Sequence, residues 1–274
     1  MKQIKSLREL QEVGIFIYKE LLKICNDIGV NLYLHGGTLI GAVRHKGFIP
    51  WDDDIDLCIS RPDYEKLMAV TQGKIGDKCS IIDPATDKEY KGIVPVCVYN
   101  NSYIKSLQFK EDEHLKISCS IFVYDGAPEN KIKRRFYYNR MYVLRAKHAL
   151  CRADFKHVNT KLAKMFGPLL SPFFSSKKVY KYKDKILKYQ QKYAYERSKY
   201  VSTNVDNGSI KEVFLKEGFE NPAELTFEGI PSKTYGYYKE HLTAYYGDYM
   251  TPPPPEEQKP KHGFYAEIEE SFSF

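Results

Sequence analysis

The sequence predicts an α/β (α+β) fold, a sheet covered by helices, and three observations carry it. A long amphipathic segment opens the chain, with Leu7, Leu10, Val13, Ile17, Leu21, Ile24 and Ile28 recurring at spacings of three and four. Short apolar runs of strand length follow, separated by turn and helix signals. Asp54 to Ile59 alternates polar and apolar residues, the period of a half-buried strand.

The elements follow in order. Ser6 with Glu9 three residues on is a capping-box signature for the first helix, and Gly29 is its natural stop. Val30 to Leu34 reads as a short strand, His35-Gly36-Gly37-Thr38 as a turn, and Thr38 to Arg44 as a brief helix. A loop, Lys46 to Trp51, leads into the strand from Asp54, and Pro62 opens a helix running to about Gln72. Ser80–Ile82, Ile93–Tyr99 and Leu115–Tyr124 are candidate strands, the last closed by the turn residues Asp125-Gly126-Ala127-Pro128. Helices are expected over 131–165 and 177–199, with an apolar break at 166–174 between them. The C-terminal part mixes turns and short elements, and Pro252 to Pro255 must be extended. The expected organisation is a catalytic core over 1–130, a basic helical region over 131–200 and a C-terminal part over 201–274 that packs back on the core.

Composition excludes several classes. A hydrophobic fraction of 43% and an aromatic fraction of 14% are those of a chain with a buried core, not of a disordered one. No run of apolar residues is long enough for a transmembrane helix, and the first residues carry no apolar signal core, so a cytoplasmic location is expected. Six cysteines without a C-x-x-C pair read as buried free thiols of a reduced compartment. The net charge of +7 is unevenly placed: 20 Lys and Arg between Lys131 and Lys199 face only Asp154, Asp184 and Glu196. Such a middle suits nucleotides, anionic lipid headgroups or nucleic acid, and suits equally a solvated set of basic helices.

Chemistry concentrates in Trp51-Asp52-Asp53-Asp54-Ile55-Asp56. Carboxylates so close repel one another unless cations neutralise them. Asp54 and Asp56, two apart on the expected strand, would point the same way and suit a Mg²⁺ ion, or a pair of ions bridged by phosphate. A calcium loop is excluded, because Leu57 stands where glycine is needed and Asp63 where a bidentate Glu should be. Gly36-Gly37-Thr38 opens a helix after a strand, where backbone N–H groups can hold phosphate. Arg44, His45 and Lys46 follow; Arg44 or Lys46 suits a transferring phosphate, and all three suit a plain helix C-terminus.

The stretch Leu34 to Asp56, extended by Arg61-Pro62-Asp63-Tyr64-Glu65, closely resembles the LicD family. That family includes bacterial phosphorylcholine transferases and the related catalytic domain of fukutin-related protein. Further matches are Phe227-Glu228-Gly229-Ile230-Pro231, Tyr246-Gly247-Asp248-Tyr249-Met250, Glu256-Glu257 and His262. The resemblance implies a nucleotidyltransferase-type fold, a mixed central sheet flanked by helices. It implies that Gly36 and Gly37 face the donor phosphates and that Asp54 and Asp56 hold Mg²⁺ (or Mn²⁺); Thr38 and Lys46 are further candidates for binding the donor, and Arg44 and His45 join Asp54 and Asp56 as candidates for catalysis. The implied reaction moves a phospho-alcohol such as phosphocholine from a CDP-linked donor to a sugar hydroxyl of a surface glycan: lipopolysaccharide, teichoic acid or capsule. The enzyme would be cytoplasmic, with the basic middle giving it a peripheral place on the inner face of an anionic membrane, and no nucleic-acid partner is expected. Where the family carries a third carboxylate on a later strand, this chain has Ser120, followed by Asp125 beyond the expected strand end. A nucleotide-sugar glycosyltransferase and a non-catalytic binding module with a degraded site are the competing readings.

Overall fold

A computed structural model describes residues 1–106, 115–153, 165, 174–205, 210–260 and 264–273. Helix α1 (Leu7–Asp27) starts as its sequence dictates: the Ser6 hydroxyl accepts from the Glu9 amide at 3.2 Å. A short strand β1 (Lys2–Gln3) precedes it; β2 (Tyr33–Leu34), α2 (Gly36–Arg44), β3 (Ile55–Ser60) and α3 (Arg61–Thr71) follow. Then come β4 (Lys74–Ile75), β5 (Cys79–Ile82), β6 (Val96–Tyr99), β7 (Ser102–Ser106) and β8 (Ser118–Ala127). Among the described residues, α4 (Lys131–Arg152) and α5 (Lys178–Gln190) lead to β9 (Tyr200–Ser202) and β10 (Phe214–Leu215). The chain ends through α6 (Glu217–Glu220), β11 (Ala223–Phe227), β12 (Ile230–Thr234), α7 (Tyr238–Tyr246) and β13 (Phe264–Ile268).

The main sheet runs β11-β12-β2-β3-β8-β6-β5-β4, with β9 added along the end of β8 and β10 beside it. It is mixed: β3 with β8 and β12 with β2 are parallel, the other pairs antiparallel. A second sheet, β1-β13-β7, ties both chain ends to the core. The α/β fold and its mixed, helix-flanked sheet are thus as expected.

The pleat sends alternate residues of β3 and β8 to opposite faces. Helix α1 covers one face, where Gly14 packs against Ile55 and its carbonyl lies 3.5 Å from Cys119 Sγ. Leu10, Val13, Ile17 and Leu21 of α1 are fully buried there with Leu57 and Ile121. Each such side chain contributes about 1.5–3 kcal/mol by leaving water. The register places Asp56 beside Ser120, Cys58 beside Phe122 and Ser60 beside Tyr124 on the other face. That is where the functional residues collect. All six cysteines are buried and in no disulfide, and burial pushes the Cys25 thiol up to about 12.

Several boundaries differ from the sequence reading. Strand β8 runs on through Asp125-Gly126-Ala127, which reads as a turn. Two contacts hold it extended: Asp125 takes both ends of the Arg61 guanidinium at 2.8 Å, and β9 pairs alongside. Asp125 therefore sits inside the strand, paired with Arg61. Helix α2 starts at Gly36 rather than Thr38, β2 covers only the end of 30–34, and α5 stops at Gln190. Most of the apolar break at 166–174, and His262, lie outside the described residues.

Candidate active site

The N-terminus of α2 opens on the carboxylates. Gly36 has φ +52°, a conformation glycine adopts without penalty, and a Cβ there would stand 3.2 Å from Asp56 Oδ2. A Cβ on Gly37 would stand 2.7 Å from Asp52 Oδ2, closer than such atoms approach. The Gly-Gly pair thus lets two carboxylates close on the positive end of a nine-residue helix. Thr38 locks the arrangement: its hydroxyl accepts from the Asp56 amide at 2.9 Å, while the Asp56 carbonyl accepts from the His35 amide at 3.0 Å.

Asp52, Asp53 and Asp54 each offer an oxygen within 4.8 Å of the others. Strand β3 begins only at Ile55, so Asp54 projects from the exposed turn before it. Sequence spacing pairs Asp54 with Asp56; in the structure the oxygens of Asp52, Asp53 and Asp54 converge, and Asp56 lies against the helix end at Gly36. Gln11 of α1 fixes the turn by donating to the Asp52 carbonyl at 2.9 Å. The all-carboxylate oxygen set fits a hard divalent cation such as Mg²⁺ or Mn²⁺. Like charges this close repel, and a bound cation would relieve that repulsion.

Arg44, His45 and Lys46 lie at the other end of α2, about 12 Å along its axis. Arg44 donates to the Tyr249 carbonyl at 3.0 Å and to His45 Nε2 at 2.8 Å. Partial burial and the Arg44 charge lower the pKa of His45, in keeping with an imidazole that accepts. Lys46 has φ +62° and passes its carbonyl to the Glu228 amide. It borders a cavity of about 520 Å³ between the end of α1 and the β11–β12 hairpin, with Asn26, Glu224 and Lys233. The structure therefore does not bring these three cations onto the carboxylates. That cavity contains none of the acidic cluster, which lies at the α2 N-terminus.

The C-terminal motifs close around α2. The Tyr246 hydroxyl lies 3.7 Å from the Cβ position of Gly36, and Tyr249 takes Arg44. Glu228 accepts from the Phe48 amide at 3.0 Å and from Arg8 at 3.0 Å, clamping the loop between α2 and β3. Behind Gly36, buried His35 stacks on His241, and both face the buried Glu212 at 3.8 and 3.9 Å. Of Tyr246, Glu212 and His241, Tyr246 alone carries a sequence signal, the Tyr246–Met250 motif; Glu212 and His241 have none.

A family model for the LicD/FKTN/FKRP nucleotidyltransferase domain matches residues 29–150, which hold α2, β3 and β8. The chain is 32% identical over 275 residues to the lipopolysaccharide cholinephosphotransferase LicD of Haemophilus influenzae, covering 96% of this chain and 97% of that protein. It is 29% identical over 114 residues to the ribitol 5-phosphate transferase FKRP of Mus musculus, covering 40% of this chain and 20% of that protein. A glycine-lined helix end set against clustered carboxylates, within a match spanning nearly the whole chain, makes this protein a member of the LicD/FKTN/FKRP nucleotidyltransferase family.

Proposed function

We propose that this protein is a divalent-metal-dependent phosphotransferase that moves a phospho-alcohol, phosphocholine or a close analogue, from a CDP-linked donor to a sugar hydroxyl of a surface glycan. The observation that carries this reading is the α2 N-terminus facing Asp52 and Asp56 beside the converging Asp52-Asp53-Asp54 oxygens. Its nearly full-length relation to a cholinephosphotransferase supports the donor class. Lipid-linked glycan acceptors would place the enzyme at an anionic membrane face.

In this reading Asp52, Asp53, Asp54 and Asp56 hold the cation. When bound, Mg²⁺ or Mn²⁺ neutralises charge on the donor pyrophosphate. The first turn of α2 turns its positive end to the phosphates, Thr38 keeps Asp56 in register, and Tyr246 borders the mouth. The sugar hydroxyl oxygen attacks the phosphorus nearest the alcohol and gives up its proton to solvent; a new P–O bond forms in line with the breaking pyrophosphate bond, and CMP leaves with its electron pair. Arg44 is a positioning residue that ties α2 to Tyr249.

The test is a donor screen. CMP release from CDP-choline, CDP-ribitol or CDP-glycerol that requires both Mg²⁺ and a glycan acceptor supports the reading. Turnover of sugar nucleotides alone would establish a glycosyltransferase instead, and metal-independent ligand binding without turnover would leave only a binding module.

A further inference from the structure

We propose that α4 is a membrane-docking helix whose outward face, Ile132, Phe136 and Val143 between rows of Lys and Arg, seats on an anionic lipid surface. The 22 residues of α4 include eight Lys and Arg and neither Asp nor Glu. One face is spent on the protein. Tyr137, Tyr138, Met141, His148 and Cys151 are buried, Tyr137 stacks on Tyr189 of α5, and His148 donates to the Lys91 carbonyl at 2.8 Å.

A helix that merely meets water on its other face shows polar residues there. Here Ile132, Phe136 and Val143 share one line, broken only by the exposed Asn139, and expose 69%, 73% and 48% of their surface. Lys131, Lys133, Arg135, Arg140 and Lys147 are exposed around them. An exposed apolar stripe between cations is the pattern of a helix lying in a lipid interface. The apolar side chains enter the acyl boundary while Lys and Arg meet phosphate headgroups. A nucleic acid would satisfy the cations and set the stripe against its own charged backbone. A second copy would bring together two cationic helices that lack any acidic residue, and these repel. No helix among the described residues is long and apolar enough to cross a membrane, so α4, about 33 Å long, lies along the surface.

The purpose of such docking rests on the proposed reaction, since a membrane-bound acceptor rewards an enzyme held beside it. The docking itself is read without turnover, so the two can fail separately. The test is co-sedimentation of the full chain with vesicles of phosphatidylcholine alone, or with about one third phosphatidylglycerol, at low and high salt. The expected result is binding to anionic vesicles at low salt, release at high salt, and no binding to neutral vesicles. Phe136→Asp should lower partition by roughly tenfold or more, and Arg135→Glu with Lys147→Glu should do the same, with unfolding temperature unchanged. Absence of binding to anionic vesicles at low salt overturns the proposal, as does unaltered partition of Phe136→Asp. A lowered unfolding temperature in Phe136→Asp would show the stripe covered within the protein, and a dimer lost on that substitution would assign it to a second copy; either outcome overturns it.

Discussion

The Asp52 carboxylate occupies the space where a Gly37 side chain would begin, with Oδ2 2.7 Å from that Cβ position. Gly37→Ala therefore forces either Asp52 or α2 to move. We expect a loss of about 1–3 kcal/mol in stability, as for other overpacked sites. The loss of turnover should be larger, roughly a hundredfold, because a displacement of about 1 Å at a reacting centre has that effect. Thermal unfolding and steady-state kinetics on the same preparation check both, and wild-type turnover in Gly37→Ala would refute the close approach as a functional feature.

Substituting the acidic cluster separates the geometry from the sequence spacing. Asp52→Asn, Asp53→Asn and Asp54→Asn each remove charge from the converging trio, and Asp56→Asn removes the carboxylate at the helix end. If the trio and Asp56 hold the cation together, each variant loses about 3–4 kcal/mol of transition-state stabilisation, a few hundredfold or more in rate. Binding of Mn²⁺, followed by its paramagnetic signal, should weaken in parallel while thermal stability holds or rises, because repulsion is relieved. Unchanged metal binding in Asp52→Asn and Asp53→Asn would return the site to Asp54 and Asp56 alone.

Ser120 pairs with Asp56 across two parallel strands on the same face. Ser120→Asp therefore places a new carboxylate next to the cluster. The expected outcome is tighter Mn²⁺ binding with turnover raised or retained. Collapse of turnover with intact folding would mean that another group already fills the space beside Asp56.

Arg61 and Asp125 form a buried bidentate pair, 2.8 Å at both contacts, that joins the start of α3 to β8. Burial raises the Asp125 pKa, and the Arg61 hydrogen bonds and charge oppose that rise. Arg61→Met leaves an uncompensated buried carboxylate and should destabilise by about 3–5 kcal/mol. Adding Asp125→Leu should recover part of that loss. Turnover per folded molecule should survive in both. A rate defect without a stability defect would make Asp125 part of the chemistry rather than the frame.

How much could be read in advance follows from how local each feature is. Ser6, Gly36-Gly37 and the carboxylate run act through neighbours a few residues away, so their pattern is visible in the chain. Asp125-Gly126-Ala127 has turn composition, yet Arg61 and β9 hold it as strand, and a distant partner outweighs local preference. Asp54 falls outside β3 because the turn that gathers Asp52, Asp53 and Asp54 precedes the strand, a shift of one residue that periodicity cannot resolve. Glu228 on Phe48 and Tyr246 on Gly36 join residues some 180 to 210 positions apart, so their motifs mark them without showing what they touch. The meeting of His35, Glu212 and His241 has no sequence signature at all.

Buried histidines should set the acid limit of stability. His241 donates to or accepts from the Tyr235 hydroxyl, and faces His35, Glu212, Phe214 and Tyr245. Burial first, and then the neighbouring His35, lower its pKa from 6.5 to about 3. His148 lies on α4 against the Lys91 carbonyl, and burial with the Arg152 charge lowers its pKa to about 4. Both imidazoles are neutral in the folded state. The unfolded chain takes up these protons once pH falls below about 6.5, while the folded chain refuses them until pH reaches about 3 for His241 and about 4 for His148. Stability is therefore full above 6.5 and is lost as pH falls through that window, by up to about 1.4 kcal/mol per pH unit per histidine. Urea unfolding from pH 7.5 down to 4.5 should show this decline. His241→Gln and His148→Gln should each flatten it, more so together, relative to the parent protein, which carries the same carboxylates. Parallel profiles for the parent and the double variant would show that neither histidine is held neutral by the fold.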